Sequence, residues 1–147
     1  MGKSVKLGQM PNAPAFSAYQ STLQSVPTSG AKIQFQTEEF DTASAYDNAT
    51  NFRFQPLVAG YYQIDAAVTF NPAVAGALVG VYKNGSIWKW GPQSTGTSSS
   101  AGASALVYLN GSTDYVEVYG YHSAGVANNT TAGAGATYFQ GILVRAA

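Results

Sequence analysis

The sequence predicts an all-β domain built as an antiparallel sandwich of short strands. Apolar residues recur at every second position, two Asn-Gly pairs separate such runs, and no stretch of useful length has the 3.6-residue period of an amphipathic helix. The 147 residues fit one domain, which should bury roughly 68–70% of the unfolded surface.

Early strands are expected at residues 15–19, 32–40 and 52–55. In residues 61–70 the even positions Tyr62, Ile64, Ala66, Val68 and Phe70 are all apolar and form the core face, while Gln63, Asp65 and Thr69 lie on the other. Asn84-Gly85 separates 77–83 from 86–90, and Asn110-Gly111 separates 103–109 from 113–121. Asn-Gly supplies the positive φ angles that tight hairpins demand. In residues 114–121 Val116, Val118 and Gly120 share one face, and Tyr115, Glu117, Tyr119 and Tyr121 share the other. The last strand is expected at 136–145.

The segments 91–102 and 122–135 are rich in Gly, Ser, Ala and Thr and read as exposed loops, with further loops at 41–51 and 71–75. If each strand reverses direction, 56–60, Asn84-Gly85 and Asn110-Gly111 share one end with the carboxyl terminus. The four loops, most of them long, then share the other.

Seven Lys and Arg balance seven Asp and Glu, and charged residues are 10% of the chain. The basic residues Lys3, Lys6, Lys32, Arg53, Lys83, Lys89 and Arg145 are scattered, whereas nucleic-acid binding needs them clustered. No nucleic-acid partner is expected. No apolar run reaches about 18 residues, so no membrane insertion is expected either. The chain has no cysteine for disulfides or thiolate metal sites, and its first residues lack the apolar core of a secretory signal.

The stretch Phe52-x-Phe54-x-Pro56-x₃-Gly60-Tyr61-Tyr62 resembles the signature of the complement C1q and tumour-necrosis-factor-like family. Other pieces follow in family order: Ala15-Phe16-Ser17-Ala18, Ile33-x-Phe35, Tyr46-Asp47, Lys83-Asn84-Gly85, Leu109-Asn110-Gly111, Asp114-x-Val116 and Phe139-x-Gly141-x-Leu143. The resemblance implies a jelly-roll sandwich of about ten strands over residues 14–147, assembled as a homotrimer, with residues 1–13 as an N-terminal docking or linker segment. It also implies ligand recognition without catalysis. The lack of cysteine, collagen-like repeat and signal peptide sets the chain apart from animal members and fits bacteriophage or bacterial ones.

A trimer has a second argument. Tyr138, Ile142 and Val144 line one face of the last strand, and Phe139, Gly141 and Leu143 line the other. A strand apolar on both faces needs cover on both, and a two-layer sandwich covers one. The face of Tyr115, Tyr119 and Tyr121 makes the same demand, and aromatic residues are enriched at interfaces. By resemblance Tyr115, Tyr119, Phe139, Gly141 and Leu143 face the threefold axis, with Glu117 and Tyr121 beside them; local cover by the amino-terminal segment is the alternative.

Catalysis has little material. His122 is the only histidine and opens a Gly-rich loop, and Gly-x-Ser-x-Gly is absent. Glu38, Glu39, Asp41 and Asp47 could supply a carboxylate pair but read as an exposed acidic strand end. No cofactor is expected. Asp41 and Asp47 are calcium candidates because this hard cation takes carboxylate oxygens and some relatives bind it near the apex. Trp88 and Trp90 sit two apart on one strand, where core packing competes with a sugar-stacking platform.

The expected function is a trimeric virion-surface protein of a bacteriophage: fibre tip, knob or capsid decoration. It would contact other virion proteins through its N-terminal segment and host-surface glycan through Tyr46, Asp47, Gln93, Ser94, His122, Asn128 and Asn129 on the loops. The alternative is a secreted or cell-surface recognition module, with a carbohydrate-active enzyme a distant third.

Overall fold

The computed structural model describes residues 13–147. In chain order the strands are β1 (Ala15–Tyr19), β2 (Ser25–Val26), β3 (Ala31–Lys32), β4 (Thr37–Asp41), β5 (Tyr46–Asp47), β6 (Arg53–Phe54), β7 (Gly60–Ala75), β8 (Leu78–Lys83), β9 (Ser86–Trp90), β10 (Thr97–Leu109), β11 (Val116–Tyr121), β12 (Asn128–Thr130) and β13 (Tyr138–Ala146). They form two antiparallel sheets. The larger, of seven strands, runs β2-β12-β7-β13-β1-β4, with β10 on the other side of β7. The smaller, of six, runs β5-β6-β11-β8-β9, with β3 also on β11.

Alternation builds the core as expected. Tyr62, Ile64, Ala66, Val68 and Phe70 of β7 are buried, and Val116 and Val118 of β11 meet them from the smaller sheet. An aromatic knot joins the layers: Phe16 stacks on Phe54 with centroids 4.3 Å apart, and Phe139 meets Phe16 edge-on at 4.8 Å. Such offset and edge-to-face pairs add stabilisation beyond the area they bury.

Three expectations need correction. Residues 32–40 are not one strand, because Lys32 pairs with Tyr119 of the smaller sheet and Thr37 with Tyr19 of the larger. The chain crosses between sheets there, burying Ile33 and Phe35 as it passes. Segments 71–75 and 97–102, expected as loops, pair as the continuation of β7 and β10, with Ala75 opposite Thr97. Backbone pairing needs no large apolar side chain, so the small and polar residues of these segments did not reveal it.

The third correction concerns Asn110-Gly111. Asn84 and Gly85 have φ of 52° and 78°, as a tight hairpin needs. At the other pair only Gly111 has a positive φ, of 71°. Strands β10 and β11 lie in different sheets, so this is a crossover between layers, closed by Asn110 Oδ1 accepting the backbone N–H groups of Ser112, Thr113 and Asp114.

Candidate functional site

The outward face of the larger sheet carries a row of exposed apolar residues. On it lie Tyr61 (44% exposed), Leu106 (53%), Tyr108 (40%), Ile142 (52%) and Val144 (60%). The register assembles them: Tyr61 lies opposite Tyr108 of β10, and Gln63 is flanked by Leu106 and Ile142. The Tyr61 and Tyr108 rings approach to 5.4 Å. A groove of about 510 Å³ lined by Tyr61, Leu106, Val144, Arg145, Ala146 and Ala147 runs through this surface. Further along the strands the face turns polar, where Ser104, Asp65 and Gln140 align and Gln63 Nε2 donates to Ser104 Oγ at 2.8 Å.

The expected interface set does not hold together. Phe139, Gly141 and Leu143 point into the sandwich, with Phe139 wholly buried and Leu143 7% exposed. A Cβ on Gly141 would lie 2.7 Å from Ile64 Cδ1 and 2.8 Å from Phe16 Cε1, so only glycine fits there without displacing the core. These three residues cannot reach a threefold axis. The parity of the last strand is the reverse of that expected, and Gln140 on the Ile142 face was the available signal. Leu106 and Tyr108 escaped notice because β10 did not read as an outward-facing interface strand, and Tyr61 stands on the face of β7 that also carries Gln63, Asp65 and Thr69.

Glu117, Tyr119 and Tyr121 lie on β11 of the smaller sheet, and Tyr115 immediately precedes it. Glu117 is 6% exposed and paired within the chain with Lys32 at 3.0 Å. Tyr115 lies under the Arg53 guanidinium, 4.3 Å from its ring centroid. Tyr119 stacks on Tyr82 at 4.1 Å, and the Tyr121 and Tyr82 hydroxyls are 2.6 Å apart. Burial raises the pKa of both Tyr119 and Tyr121 above the usual phenol value, with neighbouring groups adding to the shift.

Most of the expected loop residues serve the fold. Tyr46 is buried and its hydroxyl donates to the Phe35 carbonyl at 3.1 Å. His122 is 4% exposed, its Nε2–H donates to the Val26 carbonyl at 2.9 Å, and its Nδ1 accepts from Ala124 N–H at 3.3 Å. That carbonyl can only accept, which fixes the tautomer of the neutral ring. Buried and held on both nitrogens, His122 is a structural residue rather than a loop ligand.

The calcium candidates are likewise occupied. Asp47 accepts the backbone N–H groups of Thr50, Ala49 and Asn51 and the Asn51 side-chain amide, which hold its pKa at about 2. Asp41 accepts from Ala43 and Tyr46 N–H groups. Both carboxylates are turned onto their own chain, and among the described residues no His/Cys/Asp/Glu group is arranged to hold a metal ion.

The far end of the sandwich gathers part of the expected loop set. Ser94 N–H donates to Ala77 O at 3.0 Å and Ser123 N–H to Ala75 O at 2.8 Å, placing Gln93 and Ser94 beside Ser123. Asn128 and Asn129 belong to β12, paired with β2; Asn129 also faces Asn71 and lines a polar groove of about 470 Å³ with Ser21, Thr22 and Thr131. Residues 41–51 do not join them. The β5–β6 hairpin lies on the flank near the opposite end, where Gln55 Nε2 donates to Ser112 O at 3.0 Å, because the strand expected at 52–55 is too short to cross the sandwich. The docking role expected for the first residues falls on positions 1–12, outside the described residues.

No protein-family model matches the chain, and no curated protein matches it in sequence. Solved structures do match. Eiger TNF from S. frugiperda has a TM-score of 0.72 at 10% identity, covering 92% of this chain and 95% of that one. Murine APRIL has a TM-score of 0.66 at 10% identity, covering 90% and 99%. The PRD1 vertex protein P5 has a TM-score of 0.66 at 15% identity, covering 90% and 97%. The fold is a TNF-like jelly roll.

Proposed function

We propose that this chain is a non-enzymatic, homotrimeric surface module, and that its place is on a bacteriophage virion as a fibre tip, knob or capsid decoration. The observation that carries the assembly reading is the exposed apolar face formed by Tyr61, Leu106, Tyr108, Ile142 and Val144. Contiguous exposed apolar residues on the outer side of a packed sheet mark a surface that a partner covers, and a second copy is the partner this reading assigns. A vertex protein with the same fold supports the virion placement. Fold-sharing cytokines keep a secreted recognition module as the second reading. The interface residues are those of the outward face, in place of Phe139, Gly141 and Leu143.

The test is a pair of charges placed on that face. Leu106→Glu with Val144→Glu should give a folded monomer with an unchanged far-ultraviolet spectrum, because both side chains are exposed in the single chain. Retention of the wild-type mass would remove this face from the interface. The tethering role proposed for residues 1–12 predicts that their deletion leaves the trimer intact and removes it from released particles.

A further inference from the structure

The outward face of the smaller sheet has aromatic residues where a solvent-facing strand ordinarily carries polar ones. Its middle is Gly80, and the Trp90 indole lies over it: a Cβ there would meet Trp90 Cζ3 at 2.7 Å and Cε3 at 2.9 Å. Two tyrosines fix the indole edge-on, Tyr121 at 5.2 Å and Tyr82 at 6.1 Å between centroids, yet Trp90 keeps 46% of its surface exposed. Trp88 does not share this face. A bulge in β9 sets Ile87 opposite Tyr82 and Trp90 opposite Gly80, and the Trp88 indole instead reaches the edge of β10.

Polar groups border the ring cluster. Lys32 lies opposite Tyr119 and Glu117 opposite Tyr82, and the two charges pair at 3.0 Å. Lys32 keeps ammonium hydrogens beyond the one used on Glu117, and the Tyr82–Tyr121 hydroxyl pair leaves one O–H and several lone pairs over.

We propose that this face binds a neutral saccharide, with Trp90 as the stacking plate and Lys32 and the Tyr82 and Tyr121 hydroxyls as hydrogen-bonding partners. The inference deepens the surface-module reading and rests on it. A pyranose presents a C–H face that packs on an aromatic ring and a rim of hydroxyls that needs fixed polar partners, the combination found here. Beside Trp90 the charges cancel within the Lys32–Glu117 pair, which favours a neutral ligand over an anionic one. A protein partner would need about 800 Å². That is more than one largely exposed indole, Ile87 and three half-buried tyrosines offer. The site is on the sheet opposite the proposed interface and stays open in a trimer, whose three copies would add avidity.

The experiment probes the full chain on an array of immobilised neutral oligosaccharides, with sedimentation of each variant alongside. Wild type should bind a subset of the array. Trp90→Ala should lose about tenfold or more, Trp90→Phe should retain part of the binding, and both should keep the wild-type mass. A trimer that binds no neutral oligosaccharide, or a Trp90→Ala chain that binds like wild type, overturns the site and leaves the assembly reading standing. A monomeric wild-type chain that loses binding with Trp90→Ala supports the site and overturns the assembly reading alone.

Discussion

The Trp88 indole N–H donates to the Leu106 carbonyl oxygen at 3.1 Å, so a side chain from the smaller sheet closes part of the edge of the larger. Lys83 Nζ does the same at the Tyr108 carbonyl, at 2.8 Å. Strand β10 pairs with β7 on one side, and an open edge of its length would invite pairing with another chain. Removing the cap by Trp88→Ala should cost about 1–3 kcal/mol. Chemical denaturation would read that loss, and light scattering on heating should show earlier aggregation.

Gly141 lies on the core face of β13. Because a Cβ there meets Ile64 and Phe16, Gly141→Ala should destabilise the single chain by about 1–3 kcal/mol through overpacking. Phe139→Ala, which empties the aromatic knot, should cost about 3–5 kcal/mol. Urea unfolding of a monomeric background carrying each change would measure both. Unchanged midpoints would restore these residues to a surface.

The larger elements were legible because burial imposes a period on them. The even positions of β7 announced the core, and Asn84-Gly85 announced its hairpin through a backbone demand only a few residues meet. The proposed interface was not legible. Both faces of β13 carry apolar residues, so only Gln140 marked the outward one, and the family resemblance favoured Phe139 and Leu143 over Ile142 and Val144. Strand β12 lay hidden in a run of Asn and Thr whose pairing depends on distant β2. His122 and Tyr46 looked like loop ligands because the carbonyls that accept from them, those of Val26 and Phe35, lie 96 and 11 residues away in sequence.

Tyrosine burial predicts sensitivity to alkali. Burial pushes the Tyr62 hydroxyl up to about 12, and raises Tyr46, Tyr119 and Tyr121 as well. In the unfolded chain these groups ionise near pH 10. The folded state therefore holds protons that the unfolded state releases; stability is intact below about pH 10 and falls as pH rises toward 12. Thermal melts across that range should show the fall, with tyrosinate absorbance appearing together with unfolding. In Tyr62→Phe the slope should be shallower.

Asp47 predicts the acid limb. The Thr50 and Ala49 N–H groups hold its carboxyl at about 2, below the unfolded value near 3.9. Its contribution is present above about pH 4 and is lost as pH falls toward 2. Asp47→Asn should lower stability at neutral pH and flatten the acid limb, which melts at a series of pH values would resolve.

Assembly through the outward face of the larger sheet is the central claim, and sedimentation equilibrium of the wild-type chain at micromolar concentration tests it most directly. The account predicts a single species of three times the 15.3 kDa chain mass, reduced to one chain mass by Leu106→Glu with Val144→Glu. A stable wild-type monomer, with Ile142 and Val144 left in water, would contradict it.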